Sequence, residues 1–456
     1  MFRNAMQLLA VRTKLHTGSL SALNDLEKSI STTIYNQLAV PQGSPALSDN
    51  KASHEEDKMD FPGGAVPFTF HLHFTGGPST STTSSPTIPC YRTIDSAGLE
   101  VNGAEIFHDL DQPTAVKMYK TMVTLQTVDT IFYEAQRQGR FSFYMTSSGE
   151  EATAIGSAAA LTLDDVVFSQ YREQGVLMWR GFSVQDMADQ CYGNEREQGK
   201  GRQMPVHYGA KALNFHTVSS PLATQLPHAA GAAYALKLDG KQAVSVAYFG
   251  EGAASEGDFH AALNFAATLS CPVIFICRNN GWAISTPVTE QYRGDGIAGR
   301  GPSYGISTIR VDGGDARAVF NATAEARRRV LETSQPVLIE AMSYRTGHHS
   351  TSDDSSRYRA SEEMRLWRAR DPVSRFQRWL GGQGWWDGAE DAGLRQHARK
   401  EAISSLENAA KAPKKGLHEM FTDVYDVLPP HLEAQQREVM AYVEQYADAC
   451  PADIPR

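Results

Sequence analysis

The chain has 456 residues, 41% of them hydrophobic and 21% charged, enough for a large buried core and ordinary for a globular protein. A net charge of −9 leaves no basic excess to neutralise phosphates, which argues against a nucleic-acid binder, and no apolar run approaches the ~18 residues of a membrane span. The cysteines, Cys90, Cys191, Cys271, Cys277 and Cys450, are odd in number and form no C-x-x-C pair, so a reducing compartment fits better than a disulfide scaffold or a zinc site.

Residues 1–24 carry Arg3, Arg12 and Lys14 among apolar residues, with no acid before Asp25, the composition of a mitochondrial or plastid transit peptide. Residues 25–113 read as an N-terminal arm, weakly ordered from about 25 to 90, and Gly76 to Pro89 is a Gly/Ser/Thr/Pro tract of flexible type. From Ala115 to Gln136 apolar residues recur at helical spacing, and a long helix there opens a domain over 114–360. Within it, short apolar runs at Ala243–Phe249, Pro272–Cys277 and Val337–Met342 alternate with helical stretches such as Phe259–Leu269. That alternation predicts an α/β fold with a doubly wound, mainly parallel sheet. Over 361–456 the pattern becomes helical and charged, with helices expected at Glu362–Leu380, Leu394–Ala412 and His431–Tyr446.

The chemistry concentrates at two strand ends. One strand ends at Gly250, and the next residues are Glu251, Gly252, Ala253 and Ala254; the following strand ends at Arg278 and leads into Asn279, Asn280, Gly281 and Trp282. In a βαβ unit both ends emerge on one edge of the sheet, so Glu251 and Asn280 can converge although 29 positions separate them. A carboxylate, an amide oxygen and the Trp282 carbonyl suit a hard cation such as Mg²⁺ that keeps room for phosphate oxygens. Gly252 lets a phosphate approach the N–H groups of Gly252 and Ala253, and Arg278 can add a charged donor. Taken singly, a Gly-x-Gly turn or an Asn-Gly pair is an ordinary loop; their joint spacing is the signal.

With its Gly-Glu-Gly followed almost thirty residues later by Asn-Asn, this stretch resembles the thiamine-diphosphate-binding motif, and the wording is similar to the α subunits of branched-chain 2-oxoacid dehydrogenases from about Ile94 onward. The resemblance implies the thiamine-diphosphate-binding type of sheet and assigns Gln170, Tyr171 and Arg172 to the cofactor diphosphate. It makes Ser219, Pro221, Thr224 and Gln225 oxygen donors to K⁺, with Ser220 and Leu222 facing the cofactor. From the residues alone, the Ser219-Ser220-Pro221 stretch is a helix start capped by Ser or Thr. His349 then reaches the active site and the cofactor phosphate, with Arg345 beside it. Read without the family, His348 and His349 at a strand end suit acid–base work near neutral pH or belong to a Ser/Asp-rich surface loop. Ser350 matches the serine phosphorylated by a dedicated kinase. Trp282 stands where the family usually has Tyr, and Ala360 where relatives often have a second phosphorylatable serine.

The same resemblance implies decarboxylation of branched-chain 2-oxoacids in the mitochondrial matrix, with the acyl group passing to a lipoyl-bearing transacylase core. No second α/β domain is visible to hold the cofactor's pyrimidine, so a β subunit must complete the site in an α₂β₂ heterotetramer. A regulatory kinase and phosphatase are further expected partners; nucleic acid and membrane are not. Three rivals remain: a pyruvate-specific α subunit, a non-catalytic nucleotide-binding protein, and a phosphorylation-regulated pseudo-enzyme. The second lacks the third glycine of G-x-G-x-x-G at Ser255, and the third would need damaged ligands.

Overall fold

A computed structural model describes residues 58–61, 64–72, 87–449 and 455. The transit-peptide segment, positions 73–86 of the Gly/Ser/Thr region and Cys450 lie outside the described residues. Eleven strands occur among the described residues: β1 (Lys58–Phe61), β2 (Gly64–Thr69), β3 (Cys90–Tyr91), β4 (Val166–Phe168), β5 (Phe215–His216), β6 (Ser245–Gly250), β7 (Val273–Asn279), β8 (Trp282–Ala283), β9 (Thr286–Pro287), β10 (Ser307–Asp312) and β11 (Val337–Met342). Nine form one sheet in the order β1-β2-β3-β10-β11-β7-β6-β4-β5, parallel throughout except for the β1–β2 hairpin. β8 and β9 form a separate antiparallel pair.

Among the described residues the α-helices of six residues or more are α1 (Gln112–Arg137), α2 (Glu151–Ala159), α3 (Gln174–Trp179), α4 (Val184–Tyr192), α5 (Gln225–Leu238), α6 (Gly257–Thr268), α7 (Ala316–Thr333), α8 (Ser361–Ala369), α9 (Pro372–Gly382), α10 (Gly388–Lys411) and α11 (Pro430–Gln445). The central strands are apolar runs because both sheet faces are covered. Val246, Tyr248, Ile274 and Ile276 pack with residues of α1, α2, α7 and α10. The alternate positions Ala247, Phe249, Phe275 and Cys277 pack against α5 and α6. This double cover is the doubly wound α/β arrangement expected from the alternating pattern.

Two expectations are corrected. The stretch 25–113 is not wholly a loose arm: β1, β2 and β3 lie in it and extend the sheet beside β10. β1 and β3, of four and two residues, are too short to register as a hydrophobic period, and β2 is interrupted by Pro67. The helix expected over 362–380 is two helices, because Asp371 accepts the Ser374 N–H at 2.8 Å and Pro372 opens a new first turn. The C-terminal segment is part of the core rather than only a wrapping, since Ala402, Leu406 and Ala409 of α10 are buried in the same cluster as α1 and α4.

Candidate active site

Parallel pairing places the ends of β4, β6 and β7 side by side. One pocket there is lined by Gln170, Tyr171, Arg172, Leu222, Glu251, Gly252, Ala253, Arg278, Asn280, Trp282, Arg345 and His349, joined by Ile284. Expected residues from five separate stretches of sequence thus meet in one place.

Glu251 and Asn280 converge: the Asn280 N–H donates to Glu251 Oε2 at 3.3 Å. Glu251 is only 1% exposed, and its other oxygen, Oε1, has no partner. Burial raises the pKa of this carboxyl. Asn280 Oδ1 accepts the Trp282 N–H at 3.1 Å, which leaves one lone pair for another ligand. The adjacent Asn279 is different: its amide donates to Tyr292 Oη at 2.9 Å and to Glu340 at 2.7 Å, within a buried network. Trp282 is anchored by its indole N–H to Glu363 of α8 at 3.0 Å.

After Glu251 the chain makes a single 3₁₀ turn, Ala253–Ser255, and α6 begins only at Gly257. The helix expected over Phe259–Leu269 is α6, which starts two residues earlier. Among the described residues, the N–H groups of Gly252 and Ala253 donate no hydrogen bond. The glycine also has a packing reason, since a Cβ there would stand 2.7 Å from the Ala283 Cβ.

The basic wall has three guanidinium groups. Arg278 is held by Glu173 and, at 2.8 Å, by Glu150. Burial opposes its charge, but the two carboxylates outweigh it and hold its pKa above that of a free arginine. Two of its five N–H donors are thus committed to carboxylates inside the protein, while the residue still lines the pocket. Arg172 donates to His349 O at 2.6 Å and lies 3.0 Å from His349 Nδ1. Arg345 reaches His349 Nδ1 at 2.9 Å, the Ile284 carbonyl at 2.7 Å and Tyr358 Oη at 3.1 Å; none is a carboxylate, and its Nε has no partner. Burial, reinforced by Arg172, pulls the Arg345 pKa down to about 10.

His349 sits between these two cations. Burial, then Arg172 and Arg345, lower its pKa to about 3. Two N–H donors facing Nδ1 require a lone pair there, so the ring is neutral with its proton on Nε2. An imidazole titrating near neutral pH, as the histidine pair suggested, is therefore not what the site holds before an anion arrives. Tyr171 meets His349 edge-on, with centroids 6.1 Å apart. His348 instead accepts the Ser355 N–H at 3.0 Å and serves the loop. Ser350 is 8% exposed, its hydroxyl accepting the Ser352 N–H at 3.3 Å.

Gln170 accepts the Gly250 N–H at 2.7 Å and ties β4 to β6. In the Ser219–Gln225 stretch, Ala223 takes φ +66° and α5 begins at Gln225 with no side-chain cap, which corrects the capping expectation. Thr224 Oγ1 donates to the Pro221 carbonyl at 3.3 Å, and Gln225 donates to the Tyr248 carbonyl at 2.8 Å. Ser220 lies 2.5 Å from His207 Nε2 and is absent from the pocket lining, unlike Leu222. Sequence reasoning missed Glu150, Glu173, Ile284 and Glu363; only Glu173, in the Gln170–Glu173 run, carried a hint.

A metal bound to a diphosphate fits these residues. The orphaned, charge-disfavoured oxygen of Glu251 calls for a cation, and Arg345, bonded to neutral groups only and with its Nε unpartnered, calls with the two free N–H groups for an anion.

Fold and site together define a doubly wound α/β protein that presents a metal-and-anion half-site at its strand ends. The profile of the dehydrogenase E1 component matches residues 119–418, and the chain belongs to that family. It is 50% identical to the 2-oxoisovalerate dehydrogenase subunit alpha 2, mitochondrial, of Arabidopsis thaliana, over 92% of this chain and 88% of that protein. It is 52% identical to the corresponding alpha subunit of Homo sapiens, over 90% and 91%, and 55% identical to that of Dictyostelium discoideum, over 80% and 83%.

Proposed function

We propose that this chain is the α subunit of a mitochondrial branched-chain 2-oxoacid dehydrogenase, acting in the matrix on acids such as 3-methyl-2-oxobutanoate. The observation that carries this reading is the buried Glu251 carboxylate, one oxygen unpartnered, bonded to the Asn280 backbone beside an arginine–histidine wall. The relatives supply the substrate class, since their printed names specify 2-oxoisovalerate and the mitochondrion.

Glu251, Asn280 and the Trp282 carbonyl would hold Mg²⁺; Gln170, Tyr171, Arg172, the Gly252 and Ala253 N–H groups and His349 would hold the diphosphate of thiamine diphosphate. The cofactor supplies the carbon nucleophile and electron sink for loss of CO₂ from the 2-oxoacid. Arg172 and Arg345 keep His349 Nδ1 occupied, so its Nε2–H is the group offered to ligand oxygens. Arg345 attracts the anionic ligand, and Arg278 braces the β7 end against Glu150 and Glu173. Oxygens of Ser219, Pro221, Thr224 and Gln225 form a neutral donor set suited to K⁺, with Leu222 on the cofactor side of that loop. A β subunit completes the site in an α₂β₂ assembly and a lipoyl-bearing transacylase accepts the acyl group. Phosphorylation of Ser350 by a kinase, reversed by a phosphatase, would add nearly two negative charges beside His349 and oppose anionic ligands.

The test is decarboxylation of 3-methyl-2-oxobutanoate by the chain co-expressed with a β subunit, with and without thiamine diphosphate and Mg²⁺. Cofactor-dependent turnover that is lost in Glu251→Ala and exceeds the rate on pyruvate is expected. Turnover of pyruvate alone would retain the chemistry and replace the substrate, and failure to bind thiamine diphosphate would refute the site.

A further inference from the structure

We propose that Glu150 is a positioning residue that fixes which end of the Asn280 carboxamide faces the metal. The inference rests on the reading of Glu251 and Asn280 as metal ligands. An amide side chain offers an oxygen at one end and two N–H donors at the other, and only the oxygen can bind a cation. Something must therefore choose the orientation before the metal arrives.

Glu150 does so from behind. It is 1% exposed, and its Oε1 accepts from Asn280 Nδ2 at 3.0 Å and from Arg278 Nη1 at 2.8 Å. On the opposite side, the Trp282 N–H donates to Asn280 Oδ1 at 3.1 Å. A flipped amide would set oxygen against carboxylate and NH₂ against N–H, two repulsive contacts in place of two bonds. Glu150 Oε2 has no hydrogen-bond partner and lies 3.9 Å from Arg172 Nε, so the same carboxylate faces two of the three guanidiniums of the site.

Its place in the chain argues that this is more than a local helix requirement. Glu150 is the N-cap residue of α2, where a Ser, Thr, Asp or Asn side chain ordinarily accepts an N–H of the first turn. Here it makes no such cap bond. The next acid, Glu151, takes the local work and accepts the Gly149 N–H at 2.8 Å. The Glu150 side chain instead spans to residues about 130 positions away, at the end of β7. Outer partners of this kind commonly tune metal affinity by about 10–100-fold.

The experiment is a double-mutant cycle on the α₂β₂ assembly, made from Glu150→Leu and Asn280→Asp. Mn²⁺ is the probe, with free Mn²⁺ read by electron paramagnetic resonance at saturating thiamine diphosphate. In the native background, Glu150→Leu should weaken Mn²⁺ binding by about 10–100-fold. In the Asn280→Asp background the side chain has two equivalent oxygens and nothing to orient. There the same substitution should leave affinity unchanged or improve it by separating two like charges. Equal losses in both backgrounds would mean that Glu150 is only a structural counter-ion, and no loss in the native background would also overturn the proposal. Should the leucine variant fail to assemble, Glu150→Ala, which admits water to Arg278, replaces it in the same cycle. If the unsubstituted assembly binds neither Mn²⁺ nor thiamine diphosphate, the metal site itself is wrong; binding with an additive cycle removes only the role of Glu150.

Discussion

Gly252 can be explained in two ways, by packing or by access for a phosphate, and one substitution with its rescue separates them. A Cβ added at Gly252 would lie 2.7 Å from the Ala283 Cβ and 3.7 Å from its Cα. Carbon atoms normally rest ~3.5–4.0 Å apart, so Gly252→Ala forces a displacement of about 1 Å. The backbone itself gives no resistance, since φ at Gly252 is −63°. The strain falls on β8, whose first residue, Trp282, carries the carbonyl proposed as a metal ligand. Overpacking of this kind costs about 1–3 kcal/mol. If it is incurred only when the ligand draws β8 in, cofactor affinity should fall by roughly 5- to 150-fold. The assay is a thiamine diphosphate titration of the α₂β₂ assembly, followed by decarboxylation and by ligand-induced thermal stabilisation. Ala283→Gly removes the opposing methyl, and the double variant should recover to within a few-fold of the native protein. Loss without rescue would refute the packing explanation and leave phosphate access as the reason for the glycine. No loss at all would mean that β8 is loose enough to move freely.

Asn279→Ala should lower the melting midpoint, because it removes a 2.7 Å charged hydrogen bond to buried Glu340, with a cost of about 2–3 kcal/mol; Asn280→Ala should chiefly lower Mn²⁺ affinity, and reversed effects would show that the two asparagines have been misassigned. His349 and Glu151 should tilt stability with pH in opposite directions. The folded pKa of His349, about 3, lies below its unfolded value, so the native state takes up fewer protons and loses stability as pH falls from ~6.5. Replacing it by Gln should remove that acid-side loss in melting curves of the cofactor-free assembly. Glu151 is buried without a cation and its pKa is raised, by burial and then by Asp371 and Asp129, so stability falls as pH rises above ~4.5. Glu151→Gln can still accept the Gly149 N–H and should flatten the decline above pH ~4.5; an unchanged slope would place the effect on other groups.

The central architecture was legible because parallel strands buried on both faces must be written as continuous apolar runs, and 245–250, 273–279 and 337–342 are such runs. The pairing of Glu251 with Asn280 followed from adjacent parallel strands ending at one edge. What was not legible depends on partners far apart in sequence. Nothing local to Glu150 says that it reaches Asn280, and nothing near Trp282 names Glu363. The lowered pKa of His349 comes first from burial and then from Arg172, 177 positions away, and the neighbouring Arg345, so the histidine pair read by itself could not show it. Ser220 illustrates the same limit: the motif directs it to the cofactor, whereas the fold turns its hydroxyl to His207. Strands β1 to β3 escaped notice for a different reason: β1 and β3 have too few residues to show a period, and Pro67 interrupts β2.

The half-site carries two electrostatic costs that a single ligand class removes together. Glu251 is buried with an unpartnered oxygen, and Arg345 is buried without a carboxylate, its neighbour His349 forced neutral between two cations. Protein groups could have cancelled each cost separately, by an acid beside Arg345 or a base beside Glu251. Elsewhere in the same molecule they do, as Arg310 and Glu340 pair at 3.0 Å in the core. Leaving both unpaired, a short distance apart at one sheet edge, favours a ligand that is cationic at one end and anionic at the other, which describes a metal diphosphate. Magnesium alone would relieve Glu251 but add positive charge near the arginines, and diphosphate alone would add negative charge near Glu251. Binding of the two should therefore be strongly cooperative: saturating Mg²⁺ tightens diphosphate binding, and diphosphate tightens Mg²⁺ by the same factor. Calorimetric titration of each in the presence and absence of the other measures that factor, and independent binding would contradict this account of the site.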